Sequence, residues 1–485
     1  MSTNSQKLSI KEKIGYSLGD LAANLVFQTL MTYLAYFYTD IYGLEGNHAS
    51  AVILSVGLVA AFGFNPIMGV IADRTSTQWG KFRPWILWTA VPLGVVAMLA
   101  FSTPDFEYKG KVIYAVVTYT LLLMLYASNN LPYSALSGVI TGDMGERNSL
   151  SSYRFVAVMF AQFFVQVFML PIIESAGGGD KAVGIEIVMT WLAIIGTILL
   201  LITFFTTKER IVPASDQESS LKDDLSDLFK NRPWVIILLV TTLIFITLAM
   251  KGGSYVFYFE NYVDAQELTF FIQPILNVLS SIGMNFFGEN PVSAGFGLFN
   301  AGGIIFMIVG IGMSKKFADI YGKRDVFMTA LFISTVFIAL FFFYNPKWIL
   351  IIYASQILHG FFYGLTIPLL WAMIADVADY SEWKNNRRAT AIIFSAMMVG
   401  LKVGLSTGSA FVAWVLGMCN YITKEAAVAG EVISQPESAV QGTKLLVSIY
   451  PAIPFFIAIA LLFFYEINKS MEVKIEKELK DRRKK

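Results

Sequence analysis

Polar side chains recur at every fourth position in an apolar stretch near the start of the chain. Asp20, Asn24 and Gln28 have this spacing, so a helix would place all three on one face. One carboxylate and two amides side by side can accept and donate several hydrogen bonds. The spacing therefore predicts a helix face that binds a small polar ligand.

Five further apolar stretches carry stripes of the same kind. They combine amide, hydroxyl, basic and aromatic side chains at helical spacing: Asn130, Ser134 and Ser137; Arg154, Gln162 and Gln166; Lys251, Tyr255, Tyr258 and Tyr262; His359, Tyr363, Thr366 and Trp371; and Lys402, Ser406 and Ser409. Serine and asparagine also join helices within membranes, so each stripe has a structural alternative. That alternative is weakest for Lys251 and Lys402, because burying an ammonium group without a role is costly.

The stretches that carry these stripes are long enough to cross a membrane. Of 485 residues, 56% are hydrophobic and 15% are charged, and the mean hydropathy is +0.61. This composition excludes a water-soluble globular protein. A membrane helix needs about 20 apolar residues. Twelve such helices are predicted, at approximately 15–42, 49–72, 84–103, 112–140, 150–173, 184–206, 234–262, 294–314, 326–344, 348–375, 389–417 and 445–466.

Charge predicts the orientation of these helices. Most of the 36 Lys and Arg residues fall in alternate connections and in the two ends of the chain, which places both termini in the cytoplasm. The polar start and the long first apolar run predict no cleavable signal peptide. The single cysteine, Cys419, excludes an intramolecular disulfide. The net charge of +1 gives no reason to expect nucleic acid as a partner.

A basic turn occurs twice. Residues 69–85 read GVIADRTSTQWGKFRPW, and residues 312–327 read GMSKKFADIYGKRDVF. An Asp at a helix end can accept bonds from the next helix's first amides and pair with a nearby Arg, which would latch neighbouring helices. We predict a cytoplasmic gate from the charged residues of these turns and of one later helix end: Asp73, Arg74, Lys81, Arg83, Asp319, Lys323, Arg324 and Asp379.

The repeat divides the chain into two halves of six helices each. We predict an N-terminal half at 1–206, a linker at 207–233 and a C-terminal half at 234–485 that ends in a basic cytoplasmic tail. Apolar residues at helical spacing in the linker predict an amphipathic helix on the membrane surface. A charged connector with incidental leucines is the alternative. The long outer segment 263–293 predicts a short helix on the outer face.

Several segments in both halves resemble one family. They are GYSLGDLAANL (15–25), FYTDIYGL (37–44), WGKFRPWIL (79–87) and ADVADYSEWKNNRRATAI (375–392). The chain resembles the glycoside-pentoside-hexuronide cation symporters, the group of the melibiose permease within the major facilitator superfamily. The resemblance implies secondary transport of a sugar or glycoside across a bacterial inner membrane, coupled to Na⁺ or H⁺. Parallel repeats also imply alternating access by rocking of the two halves.

The resemblance also implies roles for individual residues. The positions that match the family's sugar pocket are Asn24, Tyr126, Asn130, Arg154 and Lys402. The family's cation site uses two acids on the second helix, and this chain has Ala61 and Asn65 there, with Ala127 in place of a neighbouring threonine.

Without those carboxylates a Na⁺ site of the family's type is not expected, because a hard cation needs charged oxygens. We predict H⁺ as the coupling ion. Asp20 would carry the proton or pair with Lys402 or Lys251. Uncoupled transport, and Na⁺ at another site, stay open as alternatives.

The sequence thus predicts an all-α membrane protein of the major facilitator fold. It would import a sugar or glycoside as a monomer, without a bound cofactor. Intramembrane positive charge favours an anionic sugar such as a uronide or a sulfonated sugar. A lysophospholipid-type carrier on the same fold is an alternative. An enzyme is not expected, because the chain has no nucleophile–base pair and no metal-ligand spacing.

Overall fold

The computed structural model describes residues 7–141, 144–210, 231–283, 287, 290–385, 390–423 and 434–483. These residues form α-helices joined by turns, and no strand is assigned among them. The helices are α1 (Ile10–Tyr36), α2 (Gly46–Val59), α3 (Asn65–Arg74), α4 (Arg83–Ala100), α5 (Tyr108–Ile140), α6 (Met144–Ala176), α7 (Lys181–Thr206), α8 (Arg232–Asn261), α9 (Ala265–Ser281), α10 (Pro291–Tyr321), α11 (Lys323–Ala339), α12 (Ile349–Asn385), α13 (Thr390–Met418), α14 (Glu437–Val447), α15 (Ile449–Leu462) and α16 (Lys469–Arg483). The predicted all-α fold class is confirmed.

Eleven helical segments among the described residues are long and apolar enough to cross a membrane. They correspond to eleven of the twelve predicted spans. The first span is occupied by α1 and a π-helical turn, Phe37–Ile41. It falls short of the same apolarity because the polar stripe of Asp20, Asn24 and Gln28 interrupts it.

Several helices extend beyond the apolar runs that predicted them. α10 continues through the second basic turn to Tyr321, and α12 continues to Asn385. The last predicted span begins earlier, at Glu437, and is broken at Ser448 into α14 and α15. The length of an apolar run predicts only the part of a helix that lies in the hydrocarbon core of the membrane. The same helix can continue through polar residues outside the core. The short helix predicted within 263–293 is α9, and its place on the outer face stays a prediction. The predicted linker helix lies outside the described residues.

The chain divides into two compact units. The first comprises 1–216, 276–297 and 422–433, and the second comprises 217–275, 298–421 and 434–485. In the first unit α1 packs against α6 and α7, and α4 packs against α5 and α7. This packing brings the polar face of α1 to α6.

In the second unit α8 is the central element and packs against α13 and α15. α13 approaches it through glycines one turn apart. A Cβ at Gly404 would lie 2.5 Å from the carbonyl oxygen of Thr242, and one at Gly408 would lie 2.4 Å from that of Ile246. Such small-residue contacts let membrane helices approach closely. α12 and α14 also contact α8, and α11 packs against α12.

Candidate functional site

An ion pair joins α1 to α6 inside the first unit. Arg154 Nε lies 2.8 Å from Asp20 Oδ2, and the Asp20 side chain is 7% exposed. Asn24 Nδ2 donates to Asp20 Oδ1 at 3.2 Å and to its backbone carbonyl at 2.9 Å. The structure therefore brings together Asp20 and Asn24, which the sequence places one turn apart on the first helix, and Arg154, which it places on another helix.

Two tyrosines hold the guanidinium of this cluster. The rings of Tyr16 and Tyr133 stack with centroids 4.7 Å apart, and each hydroxyl donates to the other residue's carbonyl, at 3.1 and 2.7 Å. Arg154 lies over both rings, 5.7 and 5.3 Å from their centroids. Sequence reasoning missed both tyrosines. The signal was available, because Tyr16 precedes Asp20 by four residues and Tyr133 follows Asn130 by three.

The remaining candidates of the first unit lie around this cluster without joining it. Gln166 Nε2 donates to Gln28 Oε1 at 3.4 Å, and Tyr126 stacks on Phe27. Asn130 and Gln162 are half-buried. These residues supply amide and aromatic groups on α1 and α6, which carry the ion pair, and on α5.

In the second unit, Lys251 of α8 contacts His359 of α12. Lys251 Nζ lies against His359 Nε2, and the two residues are only 6% and 4% exposed. His359 Nδ1 lies 2.7 Å from the hydroxyl of Ser334 on α11 and 3.1 Å from the carbonyl of the same residue. Tyr363 stacks on the imidazole. Two bases are thus in direct contact within the unit.

The neighbouring polar groups extend this cluster by one helical turn. Lys251 Nζ lies 5.4 Å from the ring centroid of Tyr255, and the Tyr255 hydroxyl donates to Gln356 Oε1 at 3.2 Å. Trp371 and Lys402 are half-buried on α12 and α13. The sequence-based expectation was that Asp20 carries the proton or pairs with Lys402 or Lys251. The ion pair found for Asp20 is with Arg154, and Lys251 is engaged by His359.

The positions of the family's cation site lie at a π-helical turn, Ala60–Phe64, between α2 and α3. Ala61 is buried at 1% exposure. Asn65 Nδ2 donates to the carbonyl of Ala60 at 2.7 Å. The asparagine amide therefore binds the backbone of its own helix, at the widened turn.

The first basic turn is anchored by a glutamate. Glu209 Oε2 accepts the backbone N–H of Lys81 at 2.8 Å, and its Oε1 accepts those of Phe82 and Arg83 at 2.7 and 2.8 Å. A carboxylate at a helix N-terminus satisfies free amides and favours the helix dipole. Glu209, which sequence reasoning missed, therefore caps the helix that follows the turn. The side chain of Asp73 lies outside the described residues.

Both basic turns need glycine. Gly80 has a φ of +113° and Gly322 a φ of +91°, a region that other residues rarely adopt. The arginines that follow make matching contacts in each unit. Arg83 donates to the carbonyl of Phe204 at 2.7 Å, and Arg324 donates to that of Tyr465 at 3.1 Å. The two turns thus share a glycine at positive φ and a guanidinium–carbonyl anchor, although residues 75–82 separate the helices of the first copy and Gly322 alone separates those of the second.

The acidic partner differs in the second copy. Lys323 Nζ lies 2.7 and 2.6 Å from the two carboxylate oxygens of Asp376 on α12, and 3.7 Å from Glu472 of α16. Lys469 Nζ donates to the carbonyl of Asp319 at 2.7 Å, and the Asp319 side chain is exposed. Burial raises the pKa of Glu472, and nearby Lys323 opposes that rise.

Two further gating candidates have simpler surroundings. Arg74 is exposed, and Asp379 is half-buried on α12. α16 packs on the segment of α12 that follows Asp379. Trp383 Nε1 donates to Glu478 at 2.6 Å, and Arg482 donates to the carbonyl of Trp383 at 3.0 Å. The C-terminal helix is therefore docked on the end of α12, next to the second basic turn.

Comparison with known proteins gives consistent matches along the chain. A family model described as MFS/sugar transport protein matches residues 15–290 and 289–469. The inner membrane symporter YicJ of Escherichia coli (strain K12) is 34% identical over 430 residues, which are 89% of this chain and 87% of YicJ.

A second relative and a solved structure extend the match. The isoprimeverose transporter of Lactiplantibacillus pentosus is 27% identical over 463 residues, 94% of this chain and 89% of that protein. A crystal structure of a bacterial homologue of the human lysosomal transporter Spinster has a TM-score of 0.63 at 12% identity, covering 98% and 99% of the two chains. That last likeness concerns the fold.

Proposed function

The chain belongs to the MFS/sugar transport protein family, and from that premise we propose that it imports a glycoside together with H⁺ by alternating access. Its family makes it a multi-pass membrane transporter of the sugar symporter type and not an enzyme. The direction of transport, the coupling ion and the substrate are our proposals. We further propose that it acts as a monomer in a bacterial inner membrane, with both termini in the cytoplasm.

The observation that carries the proposed substrate site is the cluster of Asp20, Asn24 and Arg154. It combines a carboxylate, an amide and a guanidinium at the depth of the membrane helices, where ionisable groups mark transport pathways. Vicinal hydroxyl groups need donors and acceptors side by side, which this set supplies. The Arg154 side chain is 26% exposed. Its guanidinium group can therefore contact a ligand while the rings of Tyr16 and Tyr133 keep it oriented.

The charge of the cluster favours a neutral substrate. Arg154 is balanced by Asp20 at 2.8 Å, so it contributes no excess positive charge to a ligand site. The prediction of an anionic sugar set Lys251, Lys402 and Arg154 against the single Asp20, so the excess positive charge lies at Lys251 and Lys402 and not at this cluster. We therefore propose a neutral glycoside, with uronides and sulfonated sugars as the alternatives that a screen decides.

The proposed coupling ion follows from the groups at the family's cation site. Ala61 offers no side-chain oxygen, and the Asn65 amide is bound to the Ala60 carbonyl. A desolvated Na⁺ would find no carboxylate at these two positions, and hard cations bind through several oxygens, of which some are charged. The relative YicJ is named a symporter, which supports a coupling ion, and H⁺ can bind without a set of carboxylate ligands.

The test is uptake by purified protein in liposomes, with neutral glycosides, uronides and sulfonated sugars offered in turn under a pH gradient or a Na⁺ gradient. For the sugar that is transported, Arg154→Lys should weaken binding about tenfold or more, because lysine keeps the charge but loses the planar fork. Arg147→Lys, on the same helix, is the matched control and should bind normally. Unchanged affinity in Arg154→Lys would remove Arg154 from the site, and a rate that follows Na⁺ would reverse the choice of ion.

A further inference from the structure

Lys251 and His359 form a buried basic pair that the proposed sugar site does not use. Lys251 Nζ contacts His359 Nε2, and the imidazole Nδ1 lies 3.1 Å from the carbonyl of Ser334. The Ser334 hydroxyl, 2.7 Å from Nδ1, can donate or accept, whereas the carbonyl can only accept. We assign the hydrogen to Nδ1, because this is the tautomer that both oxygens of Ser334 can accept. The lone pair of Nε2 then faces Lys251, which is the donor of the bond between them.

This geometry limits the pair to one positive charge. If both side chains were cationic, two like charges would be in contact in a medium of low dielectric constant, where they repel strongly. The pair therefore has two accessible states, in which it holds either one exchangeable proton and a charge of +1 or no such proton and no charge. In the first state a lysine ammonium donates to a neutral imidazole.

The groups that face the pair offer no fixed negative charge. From α8 itself the neighbour is Tyr255, whose ring lies 5.4 Å from Lys251 Nζ. From α12 it is Tyr363, stacked on the imidazole, and from α11 it is Ser334. α15 contributes Phe455, which stacks on Tyr363.

α13 meets α8 through glycines and also carries the basic Lys402, and α14 meets α8 where Ser254 Oγ donates to the carbonyl of Leu446. Apart from the bond between Lys251 and His359, the side-chain hydrogen bonds and ring contacts that the described residues make with these two side chains are with neutral groups. A cation stabilised by aromatic rings and a neutral acceptor, without a carboxylate, releases its proton more readily than one in an ion pair.

The pair also connects two membrane helices, and its bond depends on the proton. An ammonium donating to imidazole makes a charge-assisted bond, which is stronger than a bond between two neutral nitrogens. Gaining the proton therefore tightens α8 against α12, one turn from the bond between Tyr255 and Gln356. Losing the proton loosens the same connection.

Asp20, by contrast, is less suited to carry the proton. Its two carboxylate oxygens accept from Arg154 and from Asn24. A proton there would remove the negative charge that balances Arg154 at 2.8 Å.

We propose that the Lys251–His359 pair is the binding site of the co-transported proton. The inference rests on the proposed function, since it assigns a place to the ion of that symport. The proton arrives on Lys251 Nζ, converts the amine to an ammonium that donates to His359 Nε2, and leaves from the same nitrogen. His359 Nδ1 keeps its hydrogen on Ser334 throughout, so the imidazole is a positioning acceptor.

The experiment separates coupling from sugar movement in liposomes that contain purified protein. A pH difference of one unit should let wild type accumulate its glycoside up to about tenfold at one proton per sugar. Lys251→Met and the double variant Lys251→Met/His359→Leu should only equilibrate the sugar, with an accumulation ratio near one. Both should keep counterflow, the exchange of labelled for unlabelled sugar, which needs no net proton movement.

The double variant guards against a failure to fold. Replacing both partners of a buried polar pair with apolar groups costs far less than leaving one unpaired. His48→Asn is the matched control, because His48 is the other histidine of the chain and is exposed at α2. It should accumulate sugar like wild type.

The possible results each bear on the proposal. Accumulation at the wild-type ratio in the double variant would overturn it, and so would loss of counterflow there, since the pair would then serve folding or sugar binding. A wild type that equilibrates sugar without proton uptake would overturn it while leaving sugar transport standing. A wild type that moves no sugar in either assay would instead refute the proposed function, and the inference with it.

Discussion

Replacing Gly80 with alanine should disrupt the first basic turn in a way that depends on Glu209. A Cβ at Gly80 would lie 2.4 Å from the carboxyl carbon of Glu209, and the φ of +113° is itself strained for alanine. The backbone strain costs about 2 kcal/mol. Displacing Glu209 from three backbone amides costs about 2 kcal/mol more, after allowance for the partial exposure of the carboxylate. Gly80→Ala should therefore destabilise the protein by about 4 kcal/mol.

The double variant identifies the origin of this cost. Glu209→Ala alone removes the cap and should cost about 2 kcal/mol. In Gly80→Ala/Glu209→Ala the clash is gone, so only the strain and the lost cap remain, about 4 kcal/mol together. The sum of the single effects is about 6 kcal/mol, so the two changes should be less than additive by about 2 kcal/mol.

The assay is unfolding of purified protein by SDS in mixed micelles, followed by circular dichroism. Gly312→Ala is the control, because nothing lies within 4 Å of its missing Cβ and the residue is inside a helix. It should be neutral or stabilising by up to about 1 kcal/mol. Strict additivity of the two changes would refute the reasoning, since Glu209 would then not be the group that Gly80 accommodates. An effect of Gly80→Ala no larger than that of the control would refute it as well.

Three further outcomes follow from the second unit. Lys323→Met and Asp376→Asn should each destabilise the protein in the same SDS assay. The double variant should cost about 1 kcal/mol less than the sum of the two single changes. Strictly additive losses would show that Lys323 and Asp376 do not stabilise the protein as a pair. Glu472 has a raised pKa because of burial, so docking of α16 should be firmest at low pH. Docking should weaken as the pH rises through the raised pKa, as seen by the mobility of a spin label on α16, and Glu472→Gln should remove this pH dependence. Gly408→Leu should reduce the yield of monodisperse protein, because its Cβ would lie 2.4 Å from a backbone oxygen of α8, whereas Gly196→Leu, with open space, should be tolerated.

The membrane helices were predictable because a long run of apolar residues is stable in a bilayer as a helix that spans it. The ends of the helices were not, since no comparable constraint acts on the polar residues beyond the hydrocarbon. α12 therefore continues through Asp379 to Asn385, although its apolar run ends earlier. The first span shows the opposite limit, because Asp20, Asn24 and Gln28 lower the hydropathy of a helix that forms nonetheless.

The members of the candidate site were easier to predict than their partners. Spacing within one helix identifies the face that carries Asp20, but it contains no information on which helix that face meets. Both Asp20 and Arg154 were candidates, and their ion pair emerged only when α1 packed against α6. Glu209 was missed for the same reason. It lies in the segment taken as a linker and reaches the basic turn only through the path of the chain after α7.

Comparison of the two basic turns shows which contacts are the same in both units and which differ. Both copies keep a glycine at positive φ and an arginine that binds a carbonyl near the end of the unit's last membrane helix, Phe204 or Tyr465. These contacts depend on backbone geometry, so they tolerate divergence of the neighbouring side chains. The acidic anchor has no such constraint, and it is a helix cap by Glu209 in one unit and an ion pair of Lys323 with Asp376 in the other. The two units therefore share the backbone geometry of the arginine anchor and differ in the electrostatics of the acidic group beside it.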